Sequence, residues 1–264
     1  MRLNHPRTSL TAVLVALLTV RAGLASPRAT PQPQKELTVS AAISLKDVLD
    51  EIAQRYRAEA PNTVIHFNLG ASGTLEHQIE QGAPVDLFIS ASEDQMNSIE
   101  SKGLLSPGTR KDLVKNGVVL IVPKGKTGIS NFPDLARPEV KVIAIGEPQT
   151  VPAGQYAQEV LTHFHLYDQL KPKFVLAKDV RQVLTYVVTA NADAGIVYTT
   201  DAKSSPEVSV VATASEDSHA PVIYPVATLL DSKESAEAKR FEDFLTGAKA
   251  REVFEKYGFK PAGQ

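Results

Sequence analysis

The sequence contains no cysteine. That excludes disulfides, thiolate metal sites and thiol catalysis, and it leaves no cysteine to carry a lipid near the N-terminus. Neither charge dominates: 28 Lys and Arg face 30 Asp and Glu, a net −2 over 264 residues. Nucleic-acid binders usually show a basic excess, and none is present. No apolar run reaches the roughly 18 residues that a bilayer span needs. The six histidines include no His-Glu-x-x-His pair, and neither a P-loop nor a dinucleotide fingerprint occurs. What remains is 22% charged and 43% hydrophobic, a globular balance that argues against disorder, collagen and coiled coil.

The N-terminus reads as a targeting signal over residues 1–25. Arg2 and Arg7 precede an apolar stretch at 10–20 broken only by Thr11 and Thr19, and Gly23 and Ala25 supply small cleavage-site residues. Cleavage is expected after Ala25. Residues 26–35, with Pro27, Pro31 and Pro33, then form a loose leader. The expected product is an exported, soluble protein.

From Glu36 onward, short β-type runs alternate with helical periods. Nine strands are expected, beginning at residues 37–41, 63–67 and 86–90 and ending at 226–229. The helices between them include one whose core face is Leu45, Val48, Leu49, Ile52 and Tyr56. Such alternation predicts an α/β fold with parallel sheets covered by helices on both faces. No Pro/Gly-rich linker divides the mature chain. Two lobes would therefore be joined by strands crossing between them, with residues 118–123 and 224–228 as candidates. The expected division is 36–118 plus 227–264 for one lobe and 119–226 for the other.

Ligands of open parallel sheets bind beyond the C-terminal strand ends, so the strand-to-helix turns carry the functional signal. Four stand out: Ser44 at a helix start with Asp47 three residues on, Gly70-Ala71-Ser72-Gly73-Thr74, Val151-Pro152-Ala153-Gly154, and Lys178-Asp179-Val180. A helix N-terminus presents unpaired N–H groups and about half a positive charge, and small residues let an anion approach them. Four such ends facing one cleft would hold a compact dianion without a cationic side chain. Structural readings compete at each position. Ser44 with Asp47 fits a capping box, Pro152 with Gly154 is ordinary turn punctuation, and Tyr198 ends an apolar strand as a core residue would. Ser72 nearly completes a hydrolase nucleophile elbow, but Thr74 replaces the final Gly.

Together these turns, with Gly82-Ala83-Pro84-Val85-Asp86-Leu87-Phe88-Ile89-Ser90, Gly195-Ile196-Val197-Tyr198 and Tyr257-Gly258-Phe259, resemble the periplasmic molybdate-binding proteins of bacterial ABC importers. The likeness runs from about Leu37 to Phe259. It implies a type II periplasmic-binding-protein fold, two α/β lobes that close over the ligand. It also implies binding of molybdate, with tungstate, and delivery to an ABC permease. The implied oxyanion contacts are Ser44, Ser72, Ala153, Val180 and Tyr198. The serines and Tyr198 would offer hydroxyl groups, and Ala153 and Val180 their backbone N–H. No catalysis, cofactor or resident metal is expected, and molybdenum enters only within the bound anion. The expected partners are the oxyanion and the permease subunits, with no nucleic acid, the protein itself being a monomer. Two departures are visible. Gly73 stands where some members carry Ser or Thr, and Lys46, expected to face solvent, stands where a smaller polar residue is common. The alternatives are a carrier of another oxyanion such as sulfate, or a secreted α/β hydrolase using Ser72.

Overall fold

The computed structural model describes residues 1–3 and 34–263, so nearly all of the expected signal peptide and leader, with the cleavage site, lie outside the described residues. The first half of the chain runs β1 (Lys35–Ala42), α1 (Lys46–Glu59), β2 (Thr63–Gly70), α2 (Ser72–Glu80), β3 (Leu87–Ile89), α3 (Glu93–Ser101), β4 (Lys111–Lys115), β5 (Val118–Pro123) and β6 (Ile143–Gly146). Next come α4 (Pro152–His163), α5 (Tyr167–Leu170), β7 (Phe174–Ala177), α6 (Val180–Val188), β8 (Ala194–Tyr198) and α7 (Thr199–Lys203). The chain closes with β9 (Val208–Thr213), β10 (Ile223–Thr228), α8 (Ser235–Leu245), α9 (Ala248–Tyr257) and β11 (Lys260–Pro261).

Two sheets form, as the α/β pattern requires. One has the order β11-β4-β10-β3-β1-β2, the other β7-β6-β8-β5-β9. The centre of each is parallel: β1 lies between β2 and β3, and β6 lies between β7 and β8. Neither sheet is wholly parallel, however. β10 runs antiparallel to β3 and β4, and β5 runs antiparallel to β8 and β9. These two strands enter directly from the other sheet without an intervening helix, so nothing returns the chain to the parallel direction.

Residues 118–123 and 224–228 were the expected crossings, yet β5 pairs only within the five-stranded sheet and β10 only within the six-stranded one. The chain changes sheets at Asn116 and Gly117, and again across residues 214–222. These two segments run side by side, with the Asn116 N–H donating to Val222 O at 3.0 Å and the Ala214 N–H to Val118 O at 2.9 Å. A β-branched run declares a buried strand but not the sheet it joins. Strands β4 and β11 were missed. In β4 the charged Lys111, Asp112 and Lys115 flank a buried pair, Leu113 and Val114, too short to read as a strand.

Helices bury their apolar stripes against both sheets. In α1 the expected Val48, Leu49, Ile52 and Tyr56 are all buried. Tyr56 packs edge-on against Phe241 and Phe244 of α8 at 5.0 and 5.1 Å between centroids. Its hydroxyl donates to buried Glu237 Oε1 at 2.7 Å, as does Thr63 Oγ1 from β2. Burial opposes the Glu237 charge, but these two hydrogen bonds outweigh it and hold the carboxyl below its ordinary range. A lowered folded-state value stabilises above the unfolded pKa and is lost as pH falls. Tyr56→Phe is therefore expected to cost about 1.5–3 kcal/mol at neutral pH, the range for a hydrogen bond to a charged group. The loss should shrink in acid as Glu237 takes a proton, which urea unfolding across pH would measure.

Candidate functional site

All five sequence-marked residues follow the C-terminal ends of parallel strands. Ser44 lies in the 3-10 turn Ile43–Leu45 after β1, and Ser72 opens α2 after β2. Ala153 is in the first turn of α4 after β6, Val180 opens α6 after β7, and Tyr198 ends β8 as the residue capping α7. Each is buried, at 1–3% exposure. The first turn of α4 seats directly on the end of β6: a Cβ on Gly154 would lie 2.2 Å from Gly146 O, so only glycine permits that approach.

Contacts between the two sheets draw these turns together. The Gly73 N–H donates to Thr150 O at 3.0 Å, which sets the start of α2 against the turn leading into α4. Arg181 Nη2 donates to Asp47 Oδ2 at 2.8 Å, which sets the start of α6 against the start of α1. Gln95 Nε2 of α3 donates to Gln155 Oε1 of α4 at 3.4 Å. Ser44 Oγ lies 3.0 Å from Tyr224 Oη. The Tyr224 ring packs edge-on against Tyr198 at 5.8 Å, and Tyr198 against Tyr156 of α4 at 6.3 Å. These contacts link the turns that carry Ser44, Ser72, Ala153 and Val180, and the end of β8 at Tyr198, across the two sheets.

These five residues present several uncommitted donors. Among the described residues, the backbone N–H groups of Ser44, Ser72, Ala153 and Val180 have no protein acceptor. Tyr198 Oη is buried with no partner. Burial first, then the Tyr224 and Tyr156 hydroxyls and Asp201, push the Tyr198 phenol well above its ordinary value. It stays an O–H donor at any physiological pH. Ser72 Oγ accepts from the Ala91 N–H at 2.9 Å, which leaves its own proton to donate outward. Asn116 Nδ2 donates to Tyr224 Oη at 3.4 Å. Between Tyr224 Oη and Ser44 Oγ either oxygen can donate, so the Ser44 proton is free when Tyr224 is the donor. Orphaned buried N–H groups are rare in native proteins, and four at linked helix starts make a candidate donor site.

Ser44 caps no helix, because its hydroxyl goes to Tyr224, and neither it nor Ser72 occupies a capping position. At α6 the cap is Asp179, which accepts from the Gln182 N–H at 2.8 Å. Lys46 is half-exposed and pairs with Asp50 at 2.8 Å on its own helix. Arg181 is committed to two carboxylates. Its Nε lies 2.7 Å from buried Asp201 Oδ1, an ion pair bent outside hydrogen-bond geometry, while Nη2 holds Asp47. Ser72 has the Ala91 N–H where a hydrolase would hold its base, and no histidine contacts it among the described residues. Sequence reading missed Tyr224, Asn116 and Tyr156. They sit outside the strand-to-helix turns and carry no local signal; only the packing of β10, the crossing and α4 brings them in.

Residues 37–260 match the model of the bacterial extracellular solute-binding protein family. The provisionally named ABC transporter substrate-binding lipoprotein YvgL of Bacillus subtilis is 45% identical, over 94% of this chain and 95% of its own length. The molybdate-binding protein ModA of Haemophilus influenzae is 40% identical, over 85% of this chain and 89% of its own. Among solved structures, the substrate-binding domain of a provisionally assigned molybdenum ABC transporter from Clostridium difficile is 45% identical. It superposes with a TM-score of 0.68, over 87% of this chain and all of that one. The family is one of solute carriers, not enzymes, and what its members hold is cargo, not a cofactor. This chain belongs to the bacterial extracellular solute-binding protein family.

Proposed function

We propose that this chain binds molybdate, with tungstate as a near-equivalent, and delivers it to the permease of an ABC importer. The observation that carries this reading is the cluster of donors: among the described residues, four backbone N–H groups without a protein acceptor, the hydroxyls of Ser44 and Ser72, and the unpartnered Tyr198 phenol. A fully deprotonated tetrahedral dianion offers acceptors alone and matches that set. Hydrogen phosphate carries an O–H that would need an acceptor, and a buried unpaired O–H costs about 1–3 kcal/mol. Six or seven charge-assisted bonds at about 1.5–3 kcal/mol each give ample gross energy, most of it offset by dehydrating the anion. The relatives support the cargo: the 40% identical Haemophilus influenzae protein is named as a molybdate-binding protein.

In this reading Ser44, Ser72, Ala153, Val180 and Tyr198 are the oxyanion contacts. The lobes built on the two sheets close over the anion by bending at Asn116–Gly117 and 214–222. The protein works as an exported monomer in the periplasm, released by cleavage of the N-terminal signal.

The deciding experiment is thermal melting with molybdate, tungstate, sulfate, phosphate or no anion, at matched ionic strength. A ligand at 100 times its Kd stabilises by about 2.7 kcal/mol. A clear rise with molybdate and tungstate alone is expected. A rise with sulfate instead would change the cargo, and none with any oxyanion would refute the reading. Ser44→Ala and Ser72→Ala are each expected to weaken molybdate binding by about 1–3 kcal/mol. Unchanged titration curves for both would remove them from the site.

A further inference from the structure

Gly73 lies beside the oxyanion contacts but is not one of them. Its N–H is already committed to Thr150 O, at 3.0 Å across the gap between the sheets. A Cβ built on Gly73 would lie 2.7 Å from Thr150 O and 2.9 Å from Thr150 Cα, and the three nearest atoms all belong to the Thr150 backbone. Its φ is not in the left-handed region, so glycine is not required here by backbone conformation. It is required by the approach of the opposite lobe. The Thr150 turn has little room to yield, because the N–H groups of Thr150 and Val151 both donate to Glu147 O, at 3.1 and 2.8 Å.

We infer that Gly73 is a positioning residue for anion capture: its missing side chain and its N–H form a backbone clasp with Thr150 that permits the fully closed arrangement of the two lobes. The inference rests on the oxyanion-binding reading. The clasp sits one residue from Ser72 and three from Ala153, so it fixes one donor group of each lobe. A side chain at 73 would hold these two donors apart in the closed form. It would leave the open form untouched, because what the Cβ meets belongs to the other lobe.

The test is Gly73→Ala, compared with wild type by molybdate titration, stopped-flow dissociation and small-angle scattering with and without molybdate. Apparent affinity scales with the fraction of molecules able to reach the binding-competent state, so a loss of roughly tenfold or more is expected. Dissociation should quicken, and the variant should compact less on adding molybdate. The melting temperature without anion should hold or rise slightly, since alanine is the better helix former. Equal affinity and equal compaction in the two proteins would overturn the clasp and leave the function standing. Weaker binding with full compaction would also overturn it. A wild-type protein that binds neither molybdate nor tungstate would bring down the function, and the clasp with it.

Discussion

Tyr198→Phe is expected to weaken molybdate binding by about 1.5–3 kcal/mol, roughly ten- to a hundredfold, without loss of stability in the free protein. The two effects separate because the hydroxyl has no partner among the described residues. Its ring packs edge-on against Tyr156 and Tyr224, and phenylalanine keeps both contacts. Removing a buried, unpaired O–H relieves a desolvation cost, so the unliganded variant should melt at the same temperature or higher. The bound state differs. In the proposed complex a phenol held protonated by burial would donate to the anion, and a hydrogen bond to a charged acceptor is among the stronger kinds. Calorimetric titration of both proteins, with melting curves lacking anion, would read the two effects independently. Unchanged affinity would return Tyr198 to the role of core residue, the plain reading of a tyrosine at the end of an apolar strand.

The largest effect on stability is expected from Arg181→Met. Asp201 is fully buried, and its cationic partner is Arg181. Burial drives the Asp201 carboxyl up to about 6, against the downward pull of Arg181. A folded-state value raised above the ordinary 3.8 stabilises at low pH, and that contribution is lost as pH rises through about 6. Without Arg181 the carboxyl rises further, and the loss extends to higher pH. The variant should therefore lose about 3 kcal/mol at neutral pH or above, where an unpaired buried charge must be carried or neutralised. At about pH 5 the loss should be much smaller, because Asp201 is then largely protonated in the folded state. Urea unfolding at about pH 5 and about pH 8 distinguishes this from simple loss of packing, which would cost the same at both. Asp201→Asn should remove the pH dependence of the difference. Arg181 also reaches Asp47 across the two sheets. The variant should consequently favour the open form and bind molybdate more weakly.

Much of the fold was legible in residue order. The alternation of β-branched runs with 3.6-residue periods fixes the α/β class, and the buried face of α1 is the one its spacing declares. The turns at Ser44, Ser72, Ala153 and Val180 were legible for a related reason. A small or hydroxyl residue between a strand and a helix marks where free N–H groups face out of the sheet. Strand partners were not legible, because the apolar runs of β5 and β10 would suit either sheet, and β4 hides two core residues among charges. The departure at Gly73 could be seen in the sequence but not interpreted there, since its meaning is a distance to Thr150 on the other sheet.

The sequence by itself determined where donors could lie, because capping and turn chemistry are local and act within a few residues. Only the tertiary structure decided which of them share one place. The Ser44 hydroxyl turned from its own helix to Tyr224, 180 residues away. Arg181 was committed to two carboxylates, and the Tyr198 phenol was left with no partner among the described residues. These outcomes depend on contacts between distant segments, whose competition for hydrogen-bond partners is settled only when both sheets are packed.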